Sequence, residues 1–125
     1  MKLLLDTHVF LWWMSGHKSL TAKVVSAINE GKNVVFVSAV TAWEISIKKA
    51  LGMLKAPDEL VEALDANRFL QLPITIQHGL LAGDLPRHHD APFDRMLIAQ
   101  AQLEHLTIIS HDVQMKRYGI PILWA

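Results

Sequence analysis

Cysteine is absent from the 125 residues, which removes disulfides, thiolate metal sites and cysteine nucleophiles together and suits a reducing compartment such as the cytoplasm. Glycine and proline are sparse, at 6 and 5 residues, and no repeat or low-complexity stretch interrupts the chain. A disordered or fibrous polymer is thereby excluded. No run approaches the roughly 20 apolar residues of a membrane span. The opening Met1–Leu5 is broken by Asp6 and His8 before a signal-peptide core can form, so a soluble cytoplasmic protein with no membrane partner is expected. Neither charge is in excess: 12 basic and 12 acidic side chains give a formal net charge of +0. Any nucleic-acid contact must therefore use a local patch rather than a global field.

What is present is a 51% apolar chain, enough for a single domain over 1–125 that buries roughly two-thirds of its unfolded surface. Lys2–Leu5 and Val34–Val37 are β-prone apolar runs, as are Phe69–Leu72, Leu106–Ile109 and Ile120–Trp124. Between them lie helical patterns: Val9–Met14, a segment from Ser19 or Thr21 to about Glu30 stopped by Gly31, Thr41–Leu51, Asp58–Ala66, Thr75–Ala82, Phe93–Glu104 and Val113–Tyr118. Strands alternating with helices across short loops imply right-handed crossovers and a mostly parallel sheet covered on both faces, an α/β fold. Ligands of such sheets sit beyond the carboxyl ends of the strands, at a topological switch point.

Acidic residues fall where that rule directs attention. Asp6 follows the first strand directly, and Asp112 follows the Leu106–Ile109 strand by three residues. Glu44 lies early in the helix after Val34–Val37, and Asp94 lies in the first turn of the helix at Phe93–Glu104. Each has a structural explanation: Thr41 and Glu44 fit a capping box, Glu44 and Lys48 an i,i+4 pair, Asp94 a helix-dipole partner and Asp112 a cap. Taken together they gather like charges at one rim, which demands protonation or a cation. Oxygen ligands without cysteine point to Mg²⁺ or Mn²⁺ rather than zinc.

His88 and His89 suit solvated surface or phosphate contact better than zinc ligation, because helical ligand pairs need i,i+3 or i,i+4 spacing. His8 reads as a local hydrogen-bonding neighbour of Asp6. Trp12, Trp13, Trp43 and Trp124 all lie in apolar segments and read as core or subunit interface.

The blocks Leu3-Leu4-Leu5-Asp6-Thr7-His8, Ser38-Ala39-Val40-Thr41-Ala42-Trp43-Glu44-Ile45, Pro92-Phe93-Asp94-Arg95-Met96-Leu97-Ile98-Ala99-Gln100-Ala101 and Leu106-Thr107-Ile108-Ile109-Ser110-His111-Asp112 resemble, in family order, the PIN-domain ribonucleases, VapC-type toxins especially. The resemblance implies a PIN-like parallel sheet flanked by helices and a Mg²⁺- or Mn²⁺-dependent endoribonuclease acting on structured cellular RNA. It carries Asp6, Glu44, Asp94 and Asp112 over as catalytic acids, with Asp6, Asp94 and Asp112 as metal ligands. Ser110 then steadies the site near the fourth acid, and Arg95 either orients the site and its phosphate or makes a structural salt bridge. Lys48 and Lys49 lead the pool of candidate RNA-binding cations, which includes Lys55, Arg68, Arg87, Lys116 and Arg117. A homodimer and a cognate antitoxin protein are implied as well. One departure concerns the helix cap: many relatives place Asp before Pro-Phe-Asp-Arg, where this chain has Ala91, with Asp90 one position earlier.

Two other acid-edge chemistries fit less well. A phosphoacceptor signalling domain wants an acidic pair after the first strand and a late lysine beside a proline, but Ile120-Pro121-Ile122 has no lysine. A haloacid-dehalogenase-type phosphatase wants a second aspartate two residues after Asp6, where His8 stands. A catalytically silent interaction domain is the alternative that keeps the fold, and the intact acid set argues against it.

Overall fold

The computed structural model describes residues 1–125. In chain order the elements are β1 (Lys2–Leu5), α1 (Thr7–Ser15), α2 (Ala22–Asn29), β2 (Val34–Ser38), α3 (Ala39–Ala50), α4 (Leu60–Ala66), β3 (Leu70–Leu72), α5 (Ile76–Asp84), α6 (Pro92–Glu104), β4 (Thr107–Ser110), a 3-10 helix (Val113–Tyr118) and β5 (Ile122–Trp124). The strands pair in the order β3-β2-β1-β4-β5, and every pairing is parallel. The expected α/β architecture is thus present, with β1 at the centre.

β1 is apolar without alternation because both its faces are covered. Leu3 and Leu5 enter one cluster with Val9, Phe10, Val24, Val35 and Val37. Leu4, pointing the other way, enters a second with Val40, Leu97, Ile98 and Ile108. The chain leaves β1 toward β2 and β3 on one side and later reaches β4 and β5 on the other, so the direction of winding reverses between β1 and β4. Register pairs Leu5 with Ile109, which sets the next residues, Asp6 and Ser110, side by side at the carboxyl edge.

Several boundaries differ from the sequence expectation for local reasons. The first helix begins at Thr7, with Asp6 as its cap: Asp6 Oδ1 accepts the Val9 N–H at 2.8 Å. α3 begins at Ala39, capped by Ser38, so Thr41 is buried inside the helix and forms no capping box with Glu44. α4 starts at Leu60 rather than Asp58, without a side-chain cap. α2 stops at Asn29 with Glu30 in extended backbone, so Gly31 supplies no left-handed cap. Trp43, expected in the core or a subunit interface, is 61% exposed, with the edge of Phe93 at 5.3 Å.

Candidate functional site

The carboxyl edge of β1, β2 and β4 collects the acids. Asp6 is 4% exposed; its Oδ1 takes the Val9 amide and its Oδ2 the Ser110 hydroxyl. Burial pushes its carboxyl above the ordinary 3.8, against the donations from Ser110 and Val9 and the nearby His8 and His111. Ser110 Oγ also accepts the Asp112 amide at 3.0 Å, so one hydroxyl ties the ends of β1 and β4 to the following turn.

Glu44 is 6% exposed on the second turn of α3. Its Oε1 accepts from the buried Thr7 hydroxyl at 2.7 Å, and its Oε2 meets Lys48 Nζ at 2.7 Å. Thr7 in turn lies 3.3 Å from the Thr41 hydroxyl, linking the start of α1 to α3. Asp112 caps the 3-10 helix through Oδ1, which accepts the Gln114 amide at 3.0 Å. Its Oδ2 accepts from His89 Nε2 at 2.8 Å.

Asp94 differs from the other acids. It sits at the third position of α6, and among the acids it alone has a carboxylate that accepts no hydrogen bond; its nearest partner is His89 Nε2, 3.1 Å from Oδ2. Its pKa is pushed from 3.8 up to about 6, first by burial and then by the charges of Glu44, Asp6 and Asp112, with His89 acting the other way. That sensitivity brings all four acids to one locus. Ligand atoms of His89, Asp94 and Asp112 lie within 4.8 Å of one another. A partly buried carboxylate that accepts no hydrogen bond and faces three like charges is the electrostatic environment that a divalent cation relieves, and the acids present fit one.

The remaining candidates take different places. Arg95 pairs with no carboxylate: its guanidinium donates to the carbonyls of Ala82, Leu85, Pro86, His89 and, at 3.4 Å, Gly83. It clamps the α5–α6 loop from inside. Lys48 stands at the site through Glu44, whereas Lys49 turns to Asp58 and the Pro57 carbonyl. His89 is not the solvated residue its neighbourhood in the sequence suggested; only His88 is exposed, its ring edge-on to Tyr118 at 5.2 Å. Thr7 and His89 are the polar groups at the site that sequence reasoning missed. Thr7 had a signal in its place beside Asp6, while His89 owes its place to long-range contacts. Trp12 stacks on His17 at 5.2 Å and meets His111 at 4.5 Å, outside the core.

No curated protein sequence matches the chain. The solved structure of VapBC2 from Rickettsia felis bound to a promoter DNA fragment is similar with a TM-score of 0.74 at 14% identity, covering 99% of this chain and 98% of that one. DNA-bound VapBC from Salmonella typhimurium gives 0.70 at 19% identity, covering 99% and 98%. A toxin–antitoxin complex from Klebsiella pneumoniae gives 0.66 at 21%, covering 97% and 95%. These likenesses support the fold, and a family model supplies the membership: matched over residues 3–121 by the model described as the PIN domain, the chain belongs to the PIN-domain family.

Proposed function

We propose that this chain is a Mg²⁺- or Mn²⁺-dependent endoribonuclease that cuts structured cellular RNA and acts as the toxin of a toxin–antitoxin pair. The observation that carries the reading is the convergence on Asp94: a carboxylate that accepts no hydrogen bond and has only His89 Nε2 beside it at 3.1 Å, its pKa raised to about 6 by burial and by Glu44, Asp6 and Asp112. Four carboxylates at a strand-end edge make a poor structural device and a good cation cradle. Asp6, Asp94 and Asp112 would hold the metal, with Glu44 completing the negative rim. When bound, the cation supplies an acidified water and neutralises charge on the scissile phosphate.

The chain's own residues fix the geometry this needs. Ser110 and the Val9 amide hold both oxygens of Asp6. Thr7 and Lys48 hold those of Glu44. Arg95 keeps the loop beside the site closed. Lys48, adjoining the rim, and the more remote Lys49 are the first cations to test for RNA contact.

The toxin part of the reading is supported by similarity to VapBC and other toxin–antitoxin complexes. In it the protein works in the cytoplasm as a homodimer and is held inactive by a small cognate antitoxin. No helix is long and apolar enough to cross a membrane. Ile76 and Leu80, one turn apart on α5 and 79% and 67% exposed, offer an apolar face for a protein contact.

Purified protein freed of partner should cleave RNA with Mg²⁺ or Mn²⁺ and stop with EDTA, and Asp6→Asn or Asp94→Asn should abolish cleavage in a folded protein. Persistent cutting by folded Asp94→Asn protein would remove that residue from the chemistry. Expression alone should arrest growth, with relief on co-expression of a small DNA-binding protein encoded beside it; unimpeded growth with active nuclease present would defeat the toxin reading.

A further inference from the structure

His89 is held at four points. Its backbone N–H donates to the Tyr118 hydroxyl at 2.9 Å, and that hydroxyl donates to the Pro86 carbonyl at 2.8 Å. Its carbonyl accepts from Arg95 Nη1 at 3.2 Å. Its ring Nδ1 accepts the Ala91 amide at 3.2 Å, and its Nε2 reaches Asp112. The third contact settles the tautomer. An Nδ1 that accepts a backbone N–H carries no proton, so the neutral ring bears its proton on Nε2 and donates it to Asp112 Oδ2. The same geometry argues against His89 as a direct metal ligand, because a ligating imidazole uses one bare nitrogen and donates from the other. Here Nδ1 is occupied by a donor, and binding through Nε2 would leave an anionic ring.

The structure assigns His89 a positioning role: its fixed Nε2–H orients the Asp112 carboxylate at 2.8 Å and, standing 3.1 Å from Asp94 Oδ2, keeps the two acids near enough to share a divalent cation. The assignment rests on the metal-site reading of these acids. Asp112 needs such a partner, since its side chain is 31% exposed and its only other support is the Gln114 amide at Oδ1. Outer partners of this kind typically set metal affinity by tenfold to a hundredfold. A glutamine amide can replace the Nε2–H donor; an alanine cannot.

The test is a Mn²⁺ titration of the full chain, followed by electron paramagnetic resonance of the free ion, for wild type and for His89→Ala, His89→Gln and His88→Ala, with thermal melts in EDTA to verify folding. His89→Ala should bind Mn²⁺ about tenfold more weakly, His89→Gln should recover most of that loss, and His88→Ala should match wild type. Folded His89→Ala protein with wild-type affinity would overturn the assignment. Tighter binding would overturn it too, by making the ring a plug that competes with the cation. RNA cleavage assayed beside the titration separates the two readings. A wild type that binds Mn²⁺ with the expected pattern but cuts no RNA refutes the nuclease and leaves the positioning role standing. One that cuts RNA while His89→Ala binds normally does the reverse, and a wild type that binds no Mn²⁺ refutes both.

Discussion

Replacing Asp94 by asparagine keeps shape and removes one charge, so its effect on stability reads the electrostatics of the site directly. The rise of the folded-state pKa from 3.8 to about 6 corresponds to about 3 kcal/mol, at 1.36 kcal/mol per pH unit. Because folding makes this group a weaker acid, its ionisation opposes folding. Below pH 3.8 it is protonated in both states and costs nothing; between 3.8 and about 6 the unfolded chain releases the proton first and the cost grows; above that it is complete. Asp94→Asn should therefore raise metal-free stability by about 1–3 kcal/mol at pH 7.5, allowing for partial solvent access, and leave it unchanged near pH 3. For a chain of this size that is a Tm rise of about 3–5 °C per kcal/mol. Saturating Mg²⁺ or Mn²⁺ should reverse the order, since wild type gains about 2.7 kcal/mol at a hundredfold excess over Kd and the variant much less. Melts in EDTA and in metal at both pH values decide the matter. If Asp94 merely complements the α6 dipole, the substitution instead destabilises by up to about 1 kcal/mol, equally with and without metal, and that result would refute the acid cluster.

Ser110→Ala removes the donor to a buried oxygen of Asp6 and the acceptor of the Asp112 amide; a loss of about 1–3 kcal/mol in chemical denaturation is expected, and an unchanged midpoint would contradict the tie. Arg95→Lys cannot span the carbonyls that the guanidinium reaches, so it should cost about 2–3 kcal/mol and open residues 85–91 to limited proteolysis, a nicking pattern like wild type counting against the clamp. Glu44→Gln takes away one of the charges that raise Asp94, so the Asp94 carboxyl, followed by carbon-detected NMR, should titrate below about 6; an unmoved titration would mean that Glu44 lies too far off to matter.

The strand pattern, the switch point and the acids at it could be read from the chain because each depends on local signals. Leu3-Leu4-Leu5 is continuous because β1 is buried on both faces, and Asp6 ends it where the helix cap is needed. Boundaries failed where two capping residues competed. Ser38 and Thr41 are both good caps; β2 runs to Ser38, which takes the role, and Thr41 lies inside the helix with its hydroxyl beside Thr7. The lysines were read as surface charge available to RNA, yet Lys48 is drawn to Glu44 by its i,i+4 spacing while Lys49, one residue on, faces Asp58. A rotation of about 100° per residue separates those fates.

The loop from Leu85 to Ala91 shows why histidine roles escaped the sequence. Its geometry comes from Arg95 on the following helix and Tyr118 near the far end of the chain, and neither partner is marked by periodicity or spacing within the loop. Ala91 at the head of α6 offers no side chain as a cap, and Asp90 is exposed and does not replace it. The Ala91 amide itself donates to His89 Nδ1. That single contact has two effects: it fixes the backbone that leads into α6, and it puts the ring proton on the nitrogen facing Asp112 and Asp94. The entry of the chain into α6 and the orientation of the acid pair therefore depend on one residue, whose local setting in the sequence reads as solvated surface.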